Sequence, residues 1–186
     1  MRKNFGSKPW CYPQPVFILA AYDKEGHPNA MNVAWGGMYY DDQIAMCISA
    51  NHKTTANILE SKAFTVSMAD VDHLMACDYV GVVSGNKEPD KFKKAGFTAT
   101  KSEFVNAPLI NELAMTIECE LISYNPETCT LIGKIVNVSA SEKVLDENGK
   151  IDVMKLKPIT FDPVKNTYHN IGEKVGNAFK DGLALK

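Results

Sequence analysis

The chain has 186 residues, 45% of them apolar, and its 20 Lys and Arg against 22 Asp and Glu leave a formal charge of −2. That length suits one domain able to bury about 70% of its unfolded surface without a disulfide or metal staple. The charge balance excludes the positive blanket of a nucleic-acid or anionic-membrane binder, and the longest apolar run, seven residues over 16–22, falls far short of the ~20 that span a bilayer.

In chain order, Pro9, Pro13 and Pro15 bias the opening stretch toward extended, irregular chain. Residues 16–22 read as a strand buried on both faces, Asp23-Lys24-Glu25-Gly26 as a turn, and 29–34 as the return strand of a hairpin. A third strand follows over 43–49, then a helix from about Thr54 with Thr55, Ile58, Leu59 and Lys62 on one stripe. Residues 64–68 alternate at period two, and Asp70 is placed to cap a short helix whose apolar face is Val71, Leu74, Met75 and Tyr79. After a polar loop, a short helix over 90–95 is stopped by Gly96. Residues 115–121 carry apolar side chains on one face and Thr116, Glu118 and Glu120 on the other. Asn125-Pro126-Glu127 turns that strand into a partner over 130–138. Asn148-Gly149 marks another turn, 157–162 a last strand, and 173–179 a closing helix with Val175, Ala178 and Phe179 inward.

No repeat, low-complexity tract or linker divides 1–186, so a single domain is expected. Many short strands with few, short helices describe a mainly β protein, a β-barrel with peripheral helices. The five cysteines are widely spaced with no C-x-x-C pair, and the four histidines are scattered, so neither a disulfide framework nor a metal site is expected. Met1-Arg2-Lys3-Asn4-Phe5-Gly6 lacks the pattern of an export signal, and a cytoplasmic protein is expected.

The segment richest in chemistry is Ser49-Ala50-Asn51-His52-Lys53-Thr54-Thr55, where a strand ends and a helix opens. The first N–H groups of a helix lack internal acceptors and carry partial positive charge; a Lys and two Thr there suit a phosphate. Taken alone, the same residues also describe an ordinary Thr-capped helix with a solvent-facing Lys. In Asn29-Ala30-Met31-Asn32-Val33-Ala34-Trp35-Gly36-Gly37, alternate Asn residues run into a Trp and a Gly pair, where backbone can approach a flat ligand; a barrel strand with a core Trp fits equally. The loop Ser84-Gly85-Asn86-Lys87-Glu88-Pro89-Asp90-Lys91-Phe92 reads as a solvated loop feeding a helix. No Rossmann glycine fingerprint, P-loop or nucleophile constellation is present.

In their order and spacing these segments resemble the FMN-binding split-barrel, flavin reductase-like family. The parts that carry the likeness are the opening Pro15-Val16 strand, the Asp23…Gly26 hairpin, Asn29-Ala30-Met31-Asn32, Thr54-x-x-Asn57-Ile58 and Ser84-Gly85…Asp90-Lys91-Phe92. Leu131-Ile132-Gly133-Lys134-Ile135 and Tyr168…Gly172-Glu173-x-x-Gly176 complete it. The resemblance implies a six-stranded Greek-key barrel, a homodimer, and FMN as cofactor, reduced by NAD(P)H or a redox protein. It implies that Ser49, Ala50, Asn51, His52, Lys53, Thr54 and Thr55 hold the phosphate, with Lys53 supplying charge and the two Thr supplying hydroxyl and backbone donors. Asn32, Ala34 and Trp35 are expected to border the ring and ribityl chain, Lys91 to point toward the flavin and Tyr168 to close the pocket. Relatives often carry His where this chain has Cys129, a departure that removes a proton donor.

Overall fold

The computed structural model describes residues 1–186. Its elements in chain order are β1 (Gln14–Pro15), β2 (Phe17–Tyr22), β3 (Pro28–Val33), β4 (Gly36–Tyr40), β5 (Gln43–Cys47), α1 (Lys53–Ser61), β6 (Ala63–Met68), α2 (Leu74–Val82) and α3 (Lys91–Lys94). Then come β7 (Ala99–Lys101), β8 (Pro108–Ile110), β9 (Met115–Asn125), β10 (Thr130–Ala140), α4 (Val153–Leu156), β11 (Ile159–Asp162) and β12 (Thr167–Asn170). The mainly β architecture agrees with the sequence reading, though the main sheet counts seven strands rather than six. Their order is β3-β2-β6-β9-β10-β5-β4, antiparallel throughout.

This order explains why the sheet rolls up. Strands β3 and β4 are its two edges, yet only Ala34 and Trp35 separate them in the chain. A flat seven-stranded sheet would hold those edges about 29 Å apart, whereas the steps from Val33 to Gly36 reach about 11 Å. The sheet therefore curls into a barrel split along the seam where Ala34 and Trp35 cross. Inside it, one core cluster gathers Phe17, Met31, Val33, Met46, Phe64 and Leu131 from strands far apart in the sheet order. Gly133 on β10 leaves the space the Phe64 ring fills; a Cβ there would collide with that ring.

The unbroken apolar run of β2 has its reason in a second core. Ile18 and Ala20 face outward onto Cys77 and Val80 of α2, Phe92 of α3, and Phe97, while Phe17 and Leu19 face the barrel interior. Three sequence expectations fail. Helix α2 begins at Leu74 rather than just after Asp70, so Cys77 and Val80 form its buried face while Val71 and Met75 are exposed. Thr116 and Glu118 are buried rather than outward, because the segment around Ser102 and Pro108 covers that side of β9: Glu118 accepts bonds from the Ser102 hydroxyl and the Asn137 amide, and Thr116 bonds Ser67. The closing helix over 173–179 does not form. A seven-residue helix needs a face to pack on, and here Val175 and Phe179 are fully exposed, with Phe179 at φ +61°.

Candidate anion-binding corner and ring cleft

Strand β5 leaves the barrel at Ile48, whose N–H donates to the Cys129 carbonyl at 2.8 Å and whose carbonyl accepts the Tyr124 hydroxyl at 3.0 Å. The chain then winds tightly around Ser49. Its hydroxyl accepts the Asn51 N–H at 3.3 Å, and its carbonyl accepts both the His52 N–H at 3.2 Å and the Thr55 hydroxyl at 2.8 Å. His52, extended at φ −77° and ψ 137°, is the residue that precedes α1, and no side chain caps the helix. The Thr-capped alternative is thereby excluded. Thr54 sends its hydroxyl the other way, to Asn29 Oδ1 at 2.8 Å. The outcome is a helix end whose Lys53, Thr54 and Thr55 N–H groups have no acceptor in the chain. Three free dipolar donors beside the Lys53 ammonium suit a phosphate-like dianion. The donors are the backbone groups; both Thr hydroxyl protons are already engaged inward.

The walls of this corner come from distant parts of the chain. Asn86 Nδ2 donates to the Asn51 carbonyl at 2.9 Å, tying the 84–90 loop to the turn before α1. Gly85 lies so close to Asn29 that an added Cβ would sit 2.6 Å from Asn29 Nδ2, so only glycine lets the loop close down. A cleft of about 520 Å³ runs from Lys53 and Asn29 past Asn86 to Asp23 and His27 of the β2–β3 hairpin. Burial works against the Asp23 carboxylate, but the N–H groups of His27 and Glu25, then the charges of His27 and Lys53, hold its pKa below the ordinary value. Desolvation and then the nearby Lys91 charge lower the pKa of His52, which keeps its ring neutral at pH 7.

Lys91 does not project into the cleft. It is 3% exposed, and its Nζ donates to the carbonyls of Val80 and Val83 at 2.9 Å each, closing the C-terminal end of α2 onto α3. Burial pushes its pKa down to about 8. It is a cation behind the wall of the corner, felt at His52 but not presented to a ligand.

Asn32 and Tyr168 stand apart from the corner, on the outer side of β3. Asn32 Nδ2 donates to the Cys77 carbonyl at 3.3 Å, and the Tyr168 hydroxyl donates to Asp78 Oδ1 at 2.7 Å. Burial and then Asp78 push the Tyr168 pKa up to about 12. Gly81 of α2 packs directly on Asn32, where an added Cβ would lie 2.7 Å from the Asn32 Cβ. Ala34 and Trp35 occupy the barrel seam. Trp35 is 53% exposed rather than a core residue, and with Ala34 it lines a second cleft of about 560 Å³ whose far side is the N-terminal stretch around Trp10 and Cys11. Ala50 is exposed at the turn. Cys129 lies in the β9–β10 turn at φ +55°, its Sγ 3.8 Å from the Pro126 carbonyl. The sequence reading quoted Asn29 and Asn86 within their segments without giving either a role; in the structure both clasp the corner.

Residues 10–162 match the model of the flavin reductase like domain, and the chain belongs to that family. Among solved structures it is similar to flavoredoxin of Desulfovibrio vulgaris (Miyazaki F), with 35% identity, a TM-score of 0.93, and 98% of this chain and 100% of that one covered. Flavoredoxin from Methanosarcina acetivorans is 26% identical with a TM-score of 0.90, all of both chains being covered. An uncharacterized protein of Aquifex aeolicus (strain VF5) is 26% identical over 159 residues, 79% of each chain.

Proposed function

We propose that this protein is an FMN-binding oxidoreductase that takes electrons from NAD(P)H or a reduced redox protein and passes them on. The observation that carries this reading is the set of three unpartnered N–H groups at α1 beside Lys53, on the fold of a flavin reductase-like domain. Bound FMN supplies a ring that accepts and returns electrons. The chain's own part is to bind and orient. The N–H groups of Lys53, Thr54 and Thr55 and the Lys53 ammonium hold the phosphate, while Ser49, Asn51 and Asn29 fix the loop that presents them. Ala34 and Trp35 border the ring, and Asn32 and Tyr168 brace the strand that carries them. Lys91 adds positive potential from behind the wall.

Titration with FMN tests the reading: the flavin absorption spectrum shifts on binding, and the melting temperature rises, equivalent to about 2.7 kcal/mol at a hundredfold excess over Kd. Neither change under saturating FMN would end it. The working unit is proposed to be a homodimer. Edge strand β4 exposes Met38, Tyr39 and Tyr40 next to Trp35, and an unpaired, aromatic edge of this kind calls for a cover. Sedimentation as a monomer at micromolar concentration removes that part. Five unpaired thiols suit the reducing cytoplasm.

A second reading, an electron carrier or binding module that holds FMN or another planar cofactor without nicotinamide turnover, is favoured by Cys129. Its thiol is turned to the Pro126 carbonyl in a tight turn, where the resemblance leads one to expect a histidine. Anaerobic mixing with NADH and NADPH separates the two: bleaching of the flavin band at catalytic rates supports the reductase, and its absence the carrier.

A further inference from the structure

Asn29, on β3 beside the first turn of α1, has one half of its side-chain amide in use and the other half free. The residue is 4% exposed and lines the cleft of about 520 Å³ that opens from Lys53. Its Oδ1 accepts the Thr54 hydroxyl at 2.8 Å, which fixes the amide and leaves only its donor end for the cleft. Nδ2 finds no acceptor in the chain, yet it is not sealed off from the cleft. Gly85 keeps the space beside it clear: a Cβ there would sit 2.6 Å from Nδ2. A nine-tenths buried amide donor without an acceptor is costly, and it calls for a guest that brings an oxygen. From the helix side, the N–H groups of Lys53, Thr54 and Thr55 and the Lys53 ammonium call for the same guest. Two carboxylates also line the cleft. Asp23 has its Oδ1 taken up by the N–H groups of Glu25 and His27 at 3.0 and 2.8 Å, and Asp90 stands just before α3.

We propose that Asn29 is itself a ligand of the bound phosphoryl group, its Nδ2 donating to a phosphate oxygen from the strand side while the N–H groups of α1 donate from the helix side. A phosphate monoester carries three outward oxygens, each able to accept more than one hydrogen bond, so donors on two elements can share one group. The amide adds selectivity that the helix end lacks. A donor held in place by Thr54 and Gly85 gains a partner only when an acceptor stands at that one spot, and a flavin without a phosphate leaves it unmet. The inference rests on the FMN reading for the group attached to the phosphate, but not for the phosphoryl site itself.

The test uses the full chain, labelled with nitrogen-15 so that NMR follows the Asn29 side-chain amide, titrated separately with inorganic phosphate, FMN and riboflavin. Phosphate and FMN are expected to shift the Asn29 amide saturably, and riboflavin to leave it in place. Asn29→Asp keeps an oxygen for the Thr54 hydroxyl and removes the donor; its FMN affinity is expected to fall at least about tenfold, with riboflavin binding and melting temperature little changed. An Asn29 amide that stays still while the flavin spectrum reports bound FMN overturns the proposal and leaves the FMN reading standing. A shift with phosphate but no spectral change with FMN does the opposite, supporting the phosphoryl site and ending the flavin. Equal shifts with riboflavin and FMN, or wild-type FMN affinity in Asn29→Asp, also overturn the proposal. If that variant fails to fold, the wild-type titrations decide alone.

Discussion

The corner at α1 and the seam at Trp35 are built in opposite ways. In the corner three neighbouring polar side chains are already engaged: Thr54 with Asn29, Thr55 with Ser49, Asn86 with Asn51. Between them stands a fixed set of backbone donors and one ammonium. At the seam Trp35, Met38, Tyr39 and Tyr40 are more than half exposed, and strand β4 leaves an open edge. One end of a ligand spanning both would meet a preorganised clasp, the other a surface that a single copy of the chain leaves unfinished. A clasp of this kind fixes where a charged group sits, whereas an open aromatic face contributes general affinity.

The sharpest way to break this contrast is Lys53→Ala. A charge-assisted contact contributes about 1.5–3 kcal/mol, so FMN affinity is expected to fall about ten- to hundredfold while riboflavin, which lacks the phosphate, binds as before. Equal losses for both flavins, measured by fluorescence titration, would mean that the phosphate lies elsewhere. Next in size is Asn29→Leu, which strands the buried Thr54 hydroxyl without its acceptor. Unfolding stability is expected to drop by about 1–3 kcal/mol in a urea melt, with FMN binding weakened as the loop loosens. Trp35→Ala should do the reverse. Its stability change stays within about 0.5 kcal/mol because the side chain is largely exposed, and both flavins lose about two- to tenfold.

The smallest effect concerns pH. Lys91 has its pKa lowered from 10.5 to about 8 by burial, so between those values the unfolded chain binds its proton more tightly than the folded one. The contribution of this group to stability therefore rises with pH from about 8 to 10.5. The thiols of Cys77 and Cys119 act oppositely above pH 9, since burial pushes them up to about 12 and the unfolded chain releases their protons first. Comparing wild type with Lys91→Met over pH 8–9 isolates the lysine. Wild-type stability is expected to climb relative to the variant, and a flat difference would show that Lys91 is charged without penalty where it sits.

Much of the framework was legible because it rests on short-range pattern. The two-faced burial of β2, the hairpin at Asp23–Gly26, the stop at Gly96 and the β9–β10 turn are all set by residues two to four positions apart. The phosphate-like segment was legible for the same reason, being one contiguous stretch from strand end to helix start. The direction of its side chains was not. Thr54 finds its acceptor 25 residues away and Tyr168 finds Asp78 at a separation of 90, so neither partner is visible to a local reading. The expected closing helix shows the converse error: 173–179 has a helical pattern of apolar residues but no surface to receive them.

Sequence by itself determined that the chain is a mainly β protein with a helix start fit for an anion, because periodicity, turn chemistry and helix-end dipoles act over a few residues. Tertiary structure alone decided the rest. The two-residue crossing between opposite sheet edges forced the roll of the barrel, and that roll left Trp35 in the open. Packing turned the Thr hydroxyls inward, buried Glu118, and drew the Lys91 ammonium onto the end of α2. Each of these depends on which distant groups share a dry space, where an unpaired polar atom is costly enough to choose the conformation.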